Sequence, residues 1–183
     1  MASQSLAYRG RVIGVLLILL GGWGGLVPFL GPYFDFAYTP DKAWAYTSGR
    51  LWLSIIPAAA VCLGGVLVTV SDGGAAFGAL LAALGGVWFV IGTPVTAFAL
   101  AGHGITPGVP APGHGALFGA TTMRFLEPLG FFYGVGVVII FFAAVSLGEI
   151  LVARMAARRY AQWKQEDFDR SEQYGNEQYG TSY

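Results

Sequence analysis

The chain has 183 residues, of which 55% are hydrophobic and only 11% charged, and its ten basic and ten acidic side chains cancel. A soluble domain carries roughly a quarter charged residues, so this composition excludes a surface solvated by water all round. The mean hydropathy of +0.62 and the 28 glycines point instead to membrane-spanning helices, where glycine is more frequent than in soluble ones.

Residues 1–11 form a short N-terminal segment with Arg9 and Arg11 just before the first apolar run, 12–30. That run resembles a signal peptide at first, but it continues through Gly21-Gly22-Trp23 to Leu30 without a small-x-small cleavage site, so it reads as a retained span. Gly10, Gly14, Gly21 and Gly25 recur at helical spacing along it. Pro28 and Pro32 mark its end.

The first loop carries Tyr33, Phe34, Phe36, Tyr38, Trp44 and Tyr46, and Trp52 follows at the start of the second run. Such aromatics fit an interfacial belt at headgroup level, or a partner-binding surface, since interface hot spots are rich in the same residues. Thr39-Pro40-Asp41 has the cap, first-turn proline and early acid of a helix start, which predicts a helix leading toward the second span. That span covers 51–70, and Ser71-Asp72-Gly73-Gly74 turns tightly into the third, 75–101. Pro57 and Pro94 predict kinks in these two spans. In the third span Gly78, Ala82, Gly85, Gly92 and Thr96 repeat on one face. Small-residue seams let helix backbones approach closely in lipid, so Gly14, Gly21, Gly25, Gly78, Gly85 and Gly92 are expected packing positions, either within one bundle or between copies.

The second loop holds both histidines, His103 and His114, each between two glycines. With Asp35, Asp41 or Glu127 they are candidate metal ligands or acidity sensors, although the spacing matches no established ligand pattern. The same histidines with Glu127 would be the groups of a lipid-modifying enzyme. Arg124 and Glu127 are spaced to pair on one helix face. The fourth span is 129–152, and a basic amphipathic extension, 153–164, follows with Arg154, Arg158, Arg159, Trp163 and Lys164 suited to anionic headgroups. From 165 to 183 the composition turns acidic and polar, with Glu172-Gln173-Tyr174-Gly175 echoed by Glu177-Gln178-Tyr179-Gly180, and predicts a disordered tail.

The fold expected is therefore all-α: a four-transmembrane-helix bundle over 12–152. Basic residues flank the first and last spans and are sparse in the long loops, which places both termini on the cytoplasmic side. The membrane expected is a bacterial plasma membrane. Polar groups within the spans are few, among them Ser54, Thr69, Thr93, Thr96, Tyr133 and Ser146, with Glu149 the sole acid. Gradient-driven transport usually needs an intramembrane acid or base. Cys62 stands alone, so no internal disulfide exists; phosphate-loop and hydrolase motifs are absent. No cofactor and no nucleic-acid partner are expected.

The run Trp23-Gly24-Gly25-Leu26-Val27-Pro28-Phe29-Leu30-Gly31-Pro32-Tyr33-Phe34, with Arg50-Leu51-Trp52 opening the second span, resembles a group of uncharacterised small membrane proteins of actinobacteria. The four-span layout, the longer first loop, that arginine and Gly85-Gly86-Val87-Trp88-Phe89 are also similar in outline to claudin-like tetraspan proteins. The paired loop cysteines of claudins are missing, so neither resemblance supplies an activity. The functional expectation is a non-enzymatic membrane component that packs with itself or with a larger membrane complex. The alternatives are a passive channel or carrier for a neutral or apolar solute, with a cavity shaped by the Pro57 and Pro94 kinks and lined by Ser54, Thr93 and Thr96, and the lipid-modifying enzyme.

Overall fold

The computed structural model describes residues 2–34, 42–71, 73–99 and 129–180. Among these every regular element is helical and none is a strand. Helix α1 is Ala2–Leu30 and runs into a 3-10 turn, Gly31–Phe34. Helix α2 covers Ser48–Val70, built from a first turn Ser48–Arg50, a π-helical turn Leu51–Ile55 and a regular stretch Ile56–Val70. Helix α3 is Ala75–Ala99. Helix α4 is Gly134–Gly180, preceded by a π turn Leu129–Tyr133.

Four of these segments are long and apolar enough to cross a membrane: Tyr8–Tyr33, Ser48–Val70, Ala75–Thr96 and part of Gly134–Glu172. The first three have 26, 23 and 22 residues, against the roughly 20 a hydrocarbon core requires. The chain divides into two units, Met1–Leu147 and Gly148–Tyr183.

In the first unit α2 lies between α1 and α3, and two adjacent glycines explain how. A Cβ at Gly65 would stand 2.7 Å from the Gly14 carbonyl oxygen and 3.0 Å from the Ile18 nitrogen, both on α1. A Cβ at Gly64 would strike the Gly78 carbonyl oxygen and stand 2.8 Å from the Ala82 nitrogen, both on α3. Neighbouring residues on a helix point about 100° apart, following from 3.6 residues per turn, so one glycine serves each flank. The two seams continue along α2. Gly21 packs on Val61 and Cys62, Gly25 on Ala58, and Gly85 on Val61 and the Pro57 carbonyl. The Cys62 thiol donates to the Ile18 carbonyl at 3.5 Å. Helix α4 enters through a third close approach, where a Cβ at Gly86 would lie 2.8 Å from Ile139 and 3.0 Å from the Gly136 carbonyl oxygen.

The packed interior combines small residues such as Ala82 and Ala143 with a few large ones, Leu17, Phe89 and Ile139, all at most 1% exposed. Most other large apolar side chains face outward, among them Leu19, Trp23, Leu63, Phe77, Leu84 and Phe141. Hydrophobic burial from water cannot drive such an arrangement. Close van der Waals packing between helices already solvated by lipid can.

The approach to α2 departs from the helix expected at Thr39-Pro40-Asp41. Those three residues lie outside the described ones, but residues 42–47 are a turn and an irregular stretch, so no helix runs on from there into α2. Thr47 supplies the cap instead: its hydroxyl accepts from the Arg50 amide at 3.2 Å, and Leu51 donates back to the Thr47 carbonyl. Trp44 has a φ of 56°, a left-handed conformation that L residues resist and that ends any helical run.

In the second unit the helix continues to Gly180, where the acidic, polar composition predicts disorder from 165 onward. Low hydrophobicity removes the means to build a core, not the means to form a helix. Ala, Met, Arg, Lys, Gln and Glu dominate 153–166, and these are the strongest helix formers. Glu166 and Arg170 stand at the i, i+4 spacing and in the order that favour a helix.

Replacing Gly64 by Val should reduce the unfolding free energy in mild detergent by about 3 kcal/mol, the upper range for overpacking, because its neighbours there are backbone atoms that cannot yield. At Gly22 a Cβ would meet no atom within 4 Å, so this position should accept Ala with no loss and up to about 1 kcal/mol of gain from helix propensity. Equal unfolding midpoints for Gly64→Val and wild type would refute the seam.

Candidate functional site

The richest convergence of side chains lies where α1 ends and α2 begins. Arg50 is only 3% exposed. Its Nη1 donates to the Ala45 carbonyl at 2.7 Å and to the Lys42 carbonyl at 3.3 Å, and its guanidinium carbon sits 5.4 Å from the centre of the Phe29 ring. Phe29 in turn lies against Trp44, with ring centroids 6.0 Å apart and tilted by 33°. One cation thus ties the loop 42–47 to the end of α1. A guanidinium suits this place because it is planar, always charged and able to donate in several directions while stacking on an aromatic face.

A second device holds α2 to α3. In the π turn the Ile56 amide reaches the Leu51 carbonyl, five residues back. Continued by one residue, that register would bring the amide of residue 57 to the Trp52 carbonyl. Pro57 has no amide hydrogen. The Trp88 indole of α3 donates to the Trp52 carbonyl at 2.8 Å instead, so a helical irregularity caused by proline is satisfied from a neighbouring helix.

Beside these contacts α1 and α2 leave a groove of about 320 Å³. Small residues, Gly21, Gly22, Gly25, Ala58 and Ala59, line much of it together with Phe29 and Trp44, and Cys62 and the Trp44 indole are the lining side chains that carry a polar atom.

The expected site residues are distributed unevenly around this structure. Trp44 joins the Arg50 cluster; Tyr33, Tyr46 and Trp52 are exposed. Phe36, Tyr38, His103, His114 and Glu127 lie outside the described residues, and so do Arg124, Asp35 and Asp41. Nothing is described of the Phe34 side chain. Among the described residues no three His, Cys, Asp or Glu side chains converge on a metal position. Gly14, Gly21 and Gly25 of α1 and Gly78 and Gly85 of α3 abut α2, while Gly92 lies under Leu53 and the Trp88 indole. Their close-packed faces are thus occupied within the bundle. Thr96 is buried, and its hydroxyl donates to the Gly92 and Thr93 carbonyls of its own helix. Arg154, Arg158, Arg159, Trp163 and Lys164 are exposed on the second unit.

In the sequence Arg50 stands out only as a sparse loop charge and as the residue that opens the second span, not as a structural tie. The signal was present: a lone basic residue opening an apolar run must find acceptors or face a steep solvation cost. The Trp88 bond was likewise announced by Pro57, once five residues are counted back. No protein-family model, curated protein or solved structure matches the chain.

Arg50→Met keeps the apolar stem and removes the charged donors, so it should lower stability by about 2–3 kcal/mol, the range for hydrogen bonds to charged groups. Arg50→Lys should recover only part of this, because a point charge does not reproduce the fork. Chemical unfolding in micelles checks both, and wild-type stability of Arg50→Met would show that the loop is held by other means. Trp88→Phe should cost about 1 kcal/mol, and less in a Pro57→Ala background, where an amide is restored; a double-mutant cycle with no coupling would remove the proposed role of the indole.

Proposed function

We propose that this chain is a non-enzymatic integral membrane component that assembles with itself or with a larger membrane complex, through the helix that follows its last span. The observation that carries this reading is the second unit. Beyond the span every residue from Ala153 to Glu172 is exposed, and Met155, Tyr160, Trp163 and Phe168 are large apolar side chains among them. Isolated helices draw little stability from propensity and depend on packing an apolar face. At 3.6 residues per turn Ala156, Tyr160 and Trp163 share one side of this helix, and a helix that displays such a side gains stability when it is covered.

Charge distribution adds a direction. Arg9 and Arg11 precede the first span, and Arg154, Arg158, Arg159 and Lys164 follow the last, which under the positive-inside bias favours both ends in the cytoplasm and the assembly surface with them. The basic block also suits anionic headgroups, so the bilayer surface is part of the expected environment.

Extraction of the full chain from native membranes in gentle detergent should give a particle larger than one copy. Tyr160→Glu combined with Trp163→Glu should reduce it to a single copy while leaving the thermal unfolding of the bundle unchanged. A monomer with no co-purifying partner from the wild-type chain would defeat the proposal. A reporter fused after Tyr183 should be active only on the cytoplasmic side; periplasmic or external activity would reverse the orientation.

A further inference from the structure

The groove between α1 and α2 is a separate feature, independent of what the tail helix binds. Its floor is unfilled by the chain itself, since a side chain at Gly22 would meet no atom within 4 Å. Its walls are apolar, with Leu26, Phe29, Trp44 and Ile55 among the lining residues. In a bilayer such a recess, open to the side, takes either a helix or a hydrocarbon chain.

Length and charge favour the hydrocarbon chain. From Phe29 back to Gly21 is eight residues of helix, about 12 Å at 1.5 Å per residue, close to one leaflet of a hydrocarbon core roughly 30 Å thick. At the Trp44 end the exposed aromatics Tyr33, Tyr46 and Trp52 mark headgroup level, and the exposed Lys42 stands two residues from Trp44. A cation at that height complements a phosphate.

We infer that this groove holds one acyl chain of a bilayer phospholipid, with Phe29 and Trp44 flanking its upper end and Lys42 facing the phosphate. The Arg50 contacts act behind it, fixing the aromatic wall through Phe29 and the loop carbonyls. Trp44 takes its left-handed φ of 56° at the position that lines the groove, and backbone strain of that kind persists where surrounding contacts hold it.

Native mass spectrometry of the full-length chain, released from detergent after partial delipidation, tests this. The wild-type chain should retain one phospholipid. Gly22→Leu and, separately, Ala59→Leu fill the floor and should each reduce retention at least tenfold without lowering the thermal midpoint, and Lys42→Gln should reduce it several-fold. A phospholipid with a diazirine on its acyl chain should label 21–29 and 55–62 more strongly than the lipid-facing Leu80 and Leu84. Equal retention by wild type and both filled variants, or labelling no stronger than at Leu80 and Leu84, would overturn the inference. So would a photo-crosslinking residue at position 59 that joins a second copy of the chain instead of lipid.

Discussion

The bundle depends on helix backbones approaching one another more closely than any side chain would permit. At Gly64 and Gly65 of α2 the neighbours on both flanks are carbonyl oxygens and amide nitrogens, at Gly78 and Ala82 on one side and at Gly14 and Ile18 on the other. In lipid there is no gain from hiding apolar surface, so contact area and dispersion must supply the association. Everything else is arranged around this sandwich: Phe89, Leu17 and Ile139 fill the interior, and most other large apolar side chains face outward.

Among the described residues polar side-chain bonds are few, and several repair a specific break in the helical pattern. Thr47 caps α2 and the Trp88 indole serves the carbonyl that Pro57 leaves without a donor, whereas the Thr69 and Thr96 hydroxyls return to carbonyls of their own helices. Ser71 closes the turn to α3, accepting from the Gly74 amide at 2.8 Å. Arg50 is the exception in kind. It is a full charge held at the edge of the span by two carbonyls and an aromatic face, and it links the aromatic loop, the end of α1 and the groove into one structure.

Four apolar runs and the small-residue spacing of α1 and α3 were legible in the sequence because spanning a membrane imposes simple requirements of length and composition. Less legible was which surface each glycine would meet, since spacing alone does not distinguish packing within a bundle from packing between copies. Helical continuation beyond 165 was hidden by treating a lack of hydrophobicity as a lack of helix. The Arg50 cluster was hidden for a different reason. Its acceptors are backbone carbonyls of Lys42 and Ala45, which carry no residue identity, and its aromatic partner Phe29 lies 21 positions earlier in the chain.

The π turn at Leu51–Ile55 has a bearing on how this chain can change over evolutionary time. A π turn accommodates one residue more than the α-helix around it, so it behaves as an absorbed insertion placed upstream of both glycine seams. Loss of one residue from 51–55 would restore ordinary winding there and leave Gly64 and Gly65 aimed as before. Loss or gain of a residue between Ala58 and Gly64 would turn each glycine about 100° away from its partner helix. Length variation among descendants of this chain should therefore collect in the first interval and be purged from the second.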